Sequence, residues 1–181
     1  MWFGQDRDSA YNGRFELHGL DPDIDVPVFF LDPKHKLGAT VKFSGRLAAD
    51  SPVTVRLEPC GSAKMRLVDL RGKPVAGFKL GPFCTRMVIT PGALSREQQS
   101  DQVWADEDRL TVIDPINYTV PPISGADGGI ILPALVPGAT YRFVDQTTFR
   151  EPRGPQLRKE FSVKPGETLD LGNIVIEKPQ Q

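Results

Sequence analysis

NGRFELHGLDP at 12–22 and DGGIILPALVP at 127–137 are two renderings of one pattern. Each is a small-residue turn followed by a run that closes on proline. Working outward, each leads to a strand-like run ending in Asp, VPVFFLD at 26–32 and ATYRFVD at 139–145. Each then reaches a Phe-Ser step, VKFSG at 41–45 and KEFSVKPG at 159–166. Each finishes in an alternating run before proline, VTVRLEP at 53–59 and LGNIVIEKP at 171–179. Self-similarity at this scale is a statement about architecture, two copies of one small all-β unit. No catalytic motif lies on top of it.

The rest of the composition agrees. The 17 glycines and 17 prolines sit between apolar runs, as turn punctuation does in a β protein. With 22 basic and 23 acidic side chains the formal net charge is −1. That balance argues against nucleic acid or an anionic membrane as partner. No stretch approaches the roughly 20 apolar residues that span a bilayer. The start, MWFGQDRDSAYNG, lacks the basic and apolar regions of a signal peptide. The first copy begins almost at once, so the chain reads as the C-terminal piece of something longer. Its compartment is left open.

Period-2 alternation marks the strands. Arg14 to His18 and Ala39 to Phe43 alternate, and Val26 to Leu31 between them is a candidate by its β-branched and aromatic composition. Val53, Val55 and Leu57 then alternate with polar residues, as do Ala63, Met65 and Leu67. Asp69-Leu70-Arg71-Gly72-Lys73-Pro74 is a turn, with Gly72 suited to positive φ. Val75 to Leu80 and Thr85 to Thr90 follow as strands. The predicted core of the first unit is Phe15, Leu17, Phe29, Leu31, Val41, Phe43, Val55 and Leu57. That of the second is Met65, Leu67, Ile130, Leu132, Tyr141, Phe143, Phe161, Ile174 and Ile176.

Residues 91–125 break the pattern. The stretch is polar and acidic, with weak helical spacing between Leu94 and Trp104 and one short strand candidate at 110–113. A segment this long without regular strands is a functional loop or a disordered one. Trp104, Asp106 within the acidic run Asp101 to Asp108, and Tyr118 are its candidate partner-binding residues. Aromatic anchors dominate interface energetics.

GSAKMRLVDLRGKPVAG at 61–77, ADGGIILPALVPGATYRF at 126–143 and FSVKPGETLDLGNIVI at 161–176 resemble the carboxypeptidase regulatory-like domain. The resemblance implies a transthyretin-like, or prealbumin-like, β-sandwich of about seven strands. The second unit matches nearly the whole pattern, and Asn12 to Pro59 matches its later half. Similar domains stand in tandem in planctomycete-type bacterial proteins, behind other modules. The resemblance is specific for fold and weak for function. One departure is Gly125, where the family pattern has an Asp three residues before the turn glycine, Gly128.

Enzyme chemistry ranks low on the residues. His18 and His35 have no counterparts in the second copy and read as exposed or rim residues. Transthyretin-like dioxygenases hold iron with Tyr and His pairs. Tyr11, Tyr118 and Tyr141 are present here, but a close His pair is not. Asp21, Asp23 and Asp25 alternate and offer hard oxygen ligands for Ca²⁺, yet fit a turn better. Neither Lys64 nor Lys79 has partners whose spacing singles out an isopeptide bond. Cys60 and Cys84 read as reduced thiols, with one disulfide as the alternative.

The expectation is therefore an all-β chain of two transthyretin-like (Ig-like) sandwich units. Residues 1–59 form an incomplete unit, and 60–181 a complete one with a long insertion at about 91–125. No catalytic, cofactor or metal residue is assigned. The expected role is a non-catalytic accessory module, a spacer or protein-binding region of a larger protein. Its partner is another protein or a neighbouring domain, with a homodimer by strand-edge pairing as one form. The alternative is a carbohydrate- or cell-envelope-binding module using Trp2, Trp104 and Tyr118. A metal-dependent enzyme of this fold ranks third.

Overall fold

A computed structural model describes residues 12–18, 22–23, 26–43, Arg46, 52–78, 87–91, 122–145 and 156–176. Among them the chain is all-β. Nine strands run in order: β1 (Val26–Asp32), β2 (Leu37–Phe43), β3 (Glu58–Pro59), β4 (Gly61–Val68), β5 (Met87–Pro91), β6 (Gly129–Leu135), β7 (Thr140–Asp145), β8 (Gln156–Ser162) and β9 (Thr168–Val175). They form three sheets, β1-β2-β3, β6-β4-β9 and β5-β7-β8. All pairings are antiparallel except β4 with β9.

The central strand β4 follows its sequence alternation. Ala63, Met65 and Leu67 are buried while Lys64 and Arg66 face water. Ile130 and Leu132 of β6 and Leu171 and Ile174 of β9 join the same inner face, and Tyr141 and Phe161 meet them from the β5-β7-β8 sheet. Two sheets burying one shared apolar layer make a β-sandwich. Tyr141 and Phe161 are register partners, and their rings stack with centroids 5.6 Å apart. The Tyr141 hydroxyl accepts a hydrogen bond from the Val136 N–H at 2.7 Å, in the buried connection leaving β6. A buried N–H left unpaired is costly, so this phenol fixes the β6–β7 corner.

Two turns lock β4. In the 69–74 turn the Asp69 carboxylate accepts from the N–H groups of Arg71 and Lys73, and Gly72 takes φ of 76°. The Lys73 bond does most to hold the Asp69 carboxyl below its ordinary range. At the second turn Gly128, φ 80°, accepts from the Leu67 N–H at 2.8 Å. A Cβ there would overlap the Leu67 carbonyl oxygen, which itself accepts from Val75 N–H at 2.9 Å. The missing Asp at position 125 is offset locally: Asp127 Oδ1 accepts from the Gly129 N–H at 2.9 Å.

Several expected strands are absent. Residues 15–18 and 52–57 are not strands, and Leu17 and Val53 are exposed. Alternation alone does not make a strand without a paired ladder. Residues 75–78 are not one either; they are tied to Ser124. Its backbone bonds Gly77 and Phe78, and its buried hydroxyl accepts from Phe78 N–H and donates to the Val75 carbonyl. Residues 79–80 and the expected features at Leu94 to Trp104 and 110–113 lie outside the described residues.

The first hairpin also corrects the predicted core. Phe29 and Leu31 lie on the opposite face of β1 from Phe30, and they pack against the main core. Phe30, missed from sequence, joins Phe15 and Phe43 in an aromatic cluster on the other face. The main-core side is drawn in by Gly38, whose added Cβ would lie 3.3 Å from Cys60 Sγ and 3.4 Å from Pro137. Thr40 Oγ1 donates to the Pro137 carbonyl at 2.7 Å. Of the core predicted for the second unit, Met65, Leu67, Ile130, Leu132, Tyr141, Phe161, Ile174 and Ile176 are buried. The side chain of Phe143 lies outside the description.

Three substitutions test these locks. Gly128→Ala combines backbone strain with a clash against a fixed carbonyl, so it should cost about 3 kcal/mol or more in chemical denaturation. Gly72→Ala meets nothing within 4 Å and should cost only the left-handed penalty of about 1–2 kcal/mol. Tyr141→Phe should lower stability by about 1–3 kcal/mol, the cost of an orphaned buried N–H; an unchanged denaturation midpoint would remove the corner role.

Candidate functional site

The outer face of the β6-β4-β9 sheet holds a shallow, open depression of about 790 Å³. Its floor comes from Lys64 and Arg66 of β4, and its sides from Ile131 of β6 and Asp170 and Asn173 of β9. Pro122 and Ile123 rim it where the chain returns to the sheet.

Two local irregularities shape this face. Between Lys64 and Arg66, β4 advances two residues while its partners on β9 shift from Asp170 to Asn173, three residues on. The extra residue is a bulge. It leaves Gly172, with φ of 70°, and Asn173 both exposed between buried Leu171 and Ile174. On the other side Gly129 pairs with Arg66. Gly129 on the β6 side adds no side-chain bulk next to Arg66, while on the β9 side Arg66 faces Asn173, with Gly172 the unpaired bulge residue before it.

The charges in the depression are unequally satisfied. Asp170 Oδ1 accepts from the Gly172 N–H at 2.9 Å, and its Oδ2 lies 3.1 Å from Lys64 Nζ. These bonds, the Gly172 N–H first, hold its carboxyl below the ordinary value of 3.8. Asp127 is engaged by the Gly129 N–H. Arg66 Nε donates to the Asp127 backbone carbonyl at 2.8 Å, which fixes the guanidinium plane. Among the described residues Arg66 makes no ion pair. Ile131, the register partner of Lys64, and Ile123 are 60% and 55% exposed and line the same depression. The face thus presents an oriented cation and two aliphatic side chains. Neither the bulge at Gly172 nor the pairing of Arg66 with Gly129 can be read as a site from sequence, because alternation marks Lys64 and Arg66 only as solvent-facing.

Of the sequence candidates, those that are described do not line this depression. Trp2, Trp104, Asp106, Tyr118, Tyr11 and Cys84 lie outside the described residues, as do Asp21 and Asp25. Asp23 bonds Arg46 at 2.6 Å. His18 is exposed beside Glu16 at 3.3 Å, and His35 is an exposed turn residue whose Nδ1 lies 2.7 Å from Asp32. Both histidines are therefore surface residues, as expected. Among the described residues no group of three His, Cys, Asp or Glu side chains is placed to hold a metal, and no helix is long and apolar enough to cross a membrane.

No protein-family profile matches the chain, and no curated protein matches it. Among solved structures it is similar to the group B streptococcus pilus 2b backbone protein, at 13% identity and a TM-score of 0.36. The match covers 78% of this chain and 49% of that one, so this chain spans about half of that protein's length. A likeness that shallow assigns no role.

Asp170 gives this face a pH signature. Its folded pKa is lowered, so between the folded and unfolded values the unfolded chain binds the extra proton, and stability rises with pH. The contribution is complete above the unfolded value of about 3.8 and is lost as pH falls through the lower folded one. Asp170→Asn should therefore be less stable than the wild type at neutral pH, with the gap closing in acid. A gap independent of pH in urea titrations would show that the carboxylate charge contributes nothing.

Proposed function

We propose that this chain is a non-catalytic accessory β-sandwich module, a spacer or protein-binding region of a larger protein. The observation that carries the reading is that exposed Ile123 and Ile131 line the same depression as an oriented Arg66. Apolar side chains clustered in one depression are the surface feature that contact with another protein would cover.

The finer assignment is also part of the proposal. The carboxypeptidase regulatory-like resemblance is supported by the 69–74 and 125–129 turns, whose Asp and Gly residues perform the backbone roles that the pattern requires. A tandem division into 1–59 and 60–181 is supported by two corresponding features. Gly13 and Gly128 both have positive φ, at 74° and 80°. The hairpins β1/β2 and β7/β8 carry the matching VPVFFLD and ATYRFVD runs. Trp104, Asp106 and Tyr118 remain proposed contacts of the insertion, and strand-edge pairing a proposed route to a homodimer.

The test is site-specific crosslinking. A photo-reactive residue at position 131 in the natural full-length protein should yield one discrete protein adduct in cells. The same group at the exposed Leu70 should not. No adduct from 131, or the same products from both positions, would remove the interaction role of this face. Light scattering identifies a second copy as the partner if the mass is twice the 20.0 kDa of the chain.

A further inference from the structure

The interaction reading leaves open what kind of partner fits this face, and the distribution of hydrogen bonds decides it. Both acids in the depression are engaged: Asp170 by Lys64 and the Gly172 N–H, and Asp127 by the Gly129 N–H. Lys64 is engaged by Asp170. Arg66 is different. Its Nε is held by a neutral backbone carbonyl, so its charge is not compensated and its Nη donors have no partner among the described residues. Its register partner across the bulge, Asn173, is exposed, and its side-chain amide has no partner among the described residues either. A guanidinium fixed through Nε presents its other edge as a planar donor fork, the shape that a carboxylate matches with two parallel bonds. Holding Nε in advance removes much of the rotamer entropy that an unrestrained arginine loses on binding.

We propose that Arg66, with Asn173 beside it, selects a carboxylate of an extended partner segment in which Asp or Glu stands next to a branched aliphatic residue. The aliphatic residue covers Ile131 and Ile123. This inference rests on the interaction reading above and adds the partner's chemistry to it. The occupant is acidic because Arg66 is the one cation in the depression lacking an acidic partner among the described residues. A basic segment would instead have to compete with Lys64 for Asp170, or share Asp127 with the Gly129 N–H.

The experiment uses the full chain, labelled with ¹⁵N, and two blocked peptides, acetyl-Glu-Ile-Glu-Ile-amide and acetyl-Gln-Ile-Gln-Ile-amide. The acidic peptide should shift the Arg66 Nε–H, the Asn173 side-chain amide and the Ile131 N–H saturably. It should bind about tenfold tighter than the neutral one, the scale of one charge-assisted hydrogen bond. Arg66→Gln should abolish that preference, with the core resonances unmoved to show that the fold is intact. Lys64→Gln should leave it. Equal binding of both peptides at this face overturns the acid selection while leaving an interaction surface in place. A preference lost in Lys64→Gln but kept in Arg66→Gln overturns the role of Arg66. Shifts that miss this face overturn the proposal, and the crosslinking result at position 131 then judges the interaction reading separately.

Discussion

The backbone of Leu67 is the point on which the described structure turns. Its N–H is given to Gly128 and its carbonyl accepts from Val75, while its side chain is fully buried. Through these bonds one residue joins the central strand, the 125–129 turn and the segment after the 69–74 turn. The approach is so close that only glycine fits at 128. The outer face inherits this constraint, because the Asp127 carbonyl that orients Arg66 belongs to the same turn. Core packing and surface recognition are therefore coupled through one short contact. Damage to the turn disturbs both.

Much of the fold was legible in the sequence. Ala63, Met65 and Leu67 announce a half-buried strand, and the Asp69 and Gly72 spacing announces its turn. Residues 15–18 and 53–57 show the limit of the same rule. Period-2 alternation reports which face of a strand would be apolar, not whether a neighbour exists to pair with it. Phe30 was missed for a related reason. In VPVFFLD both faces are apolar, so the pattern names no single inward side. Both sides of β1 are in fact used, one toward the main core and one toward Phe15 and Phe43.

The candidate site was the least legible part. Lys64 and Arg66 occupy equivalent positions in the alternation, yet one is neutralised and the other is not. That difference comes from the extra residue in β9, which sets Asp170 opposite Lys64 and Asn173 opposite Arg66. Bulges are three-dimensional facts about register, and a single sequence does not declare which partner residue a strand will skip. Gly172 is visible in the sequence, but its meaning depends on Lys64 facing Asp170 and Arg66 facing Asn173.

The parallel pairing of β4 with β9 has a mechanical consequence. Ser62 and Thr168 are partners at one end of the pair, Val68 and Val175 at the other. Tension entering ahead of Gly61 and leaving beyond Ile176 pulls the two strands in opposite senses along their own axes. The interstrand hydrogen bonds are then loaded together in shear instead of opening one after another. Force-driven rupture is governed by the unfolding barrier rather than by equilibrium stability, and a ladder loaded this way raises that barrier. The Lys64–Asp170 pair and the Ser62–Thr168 hydroxyl bond cross the same ladder and share the load.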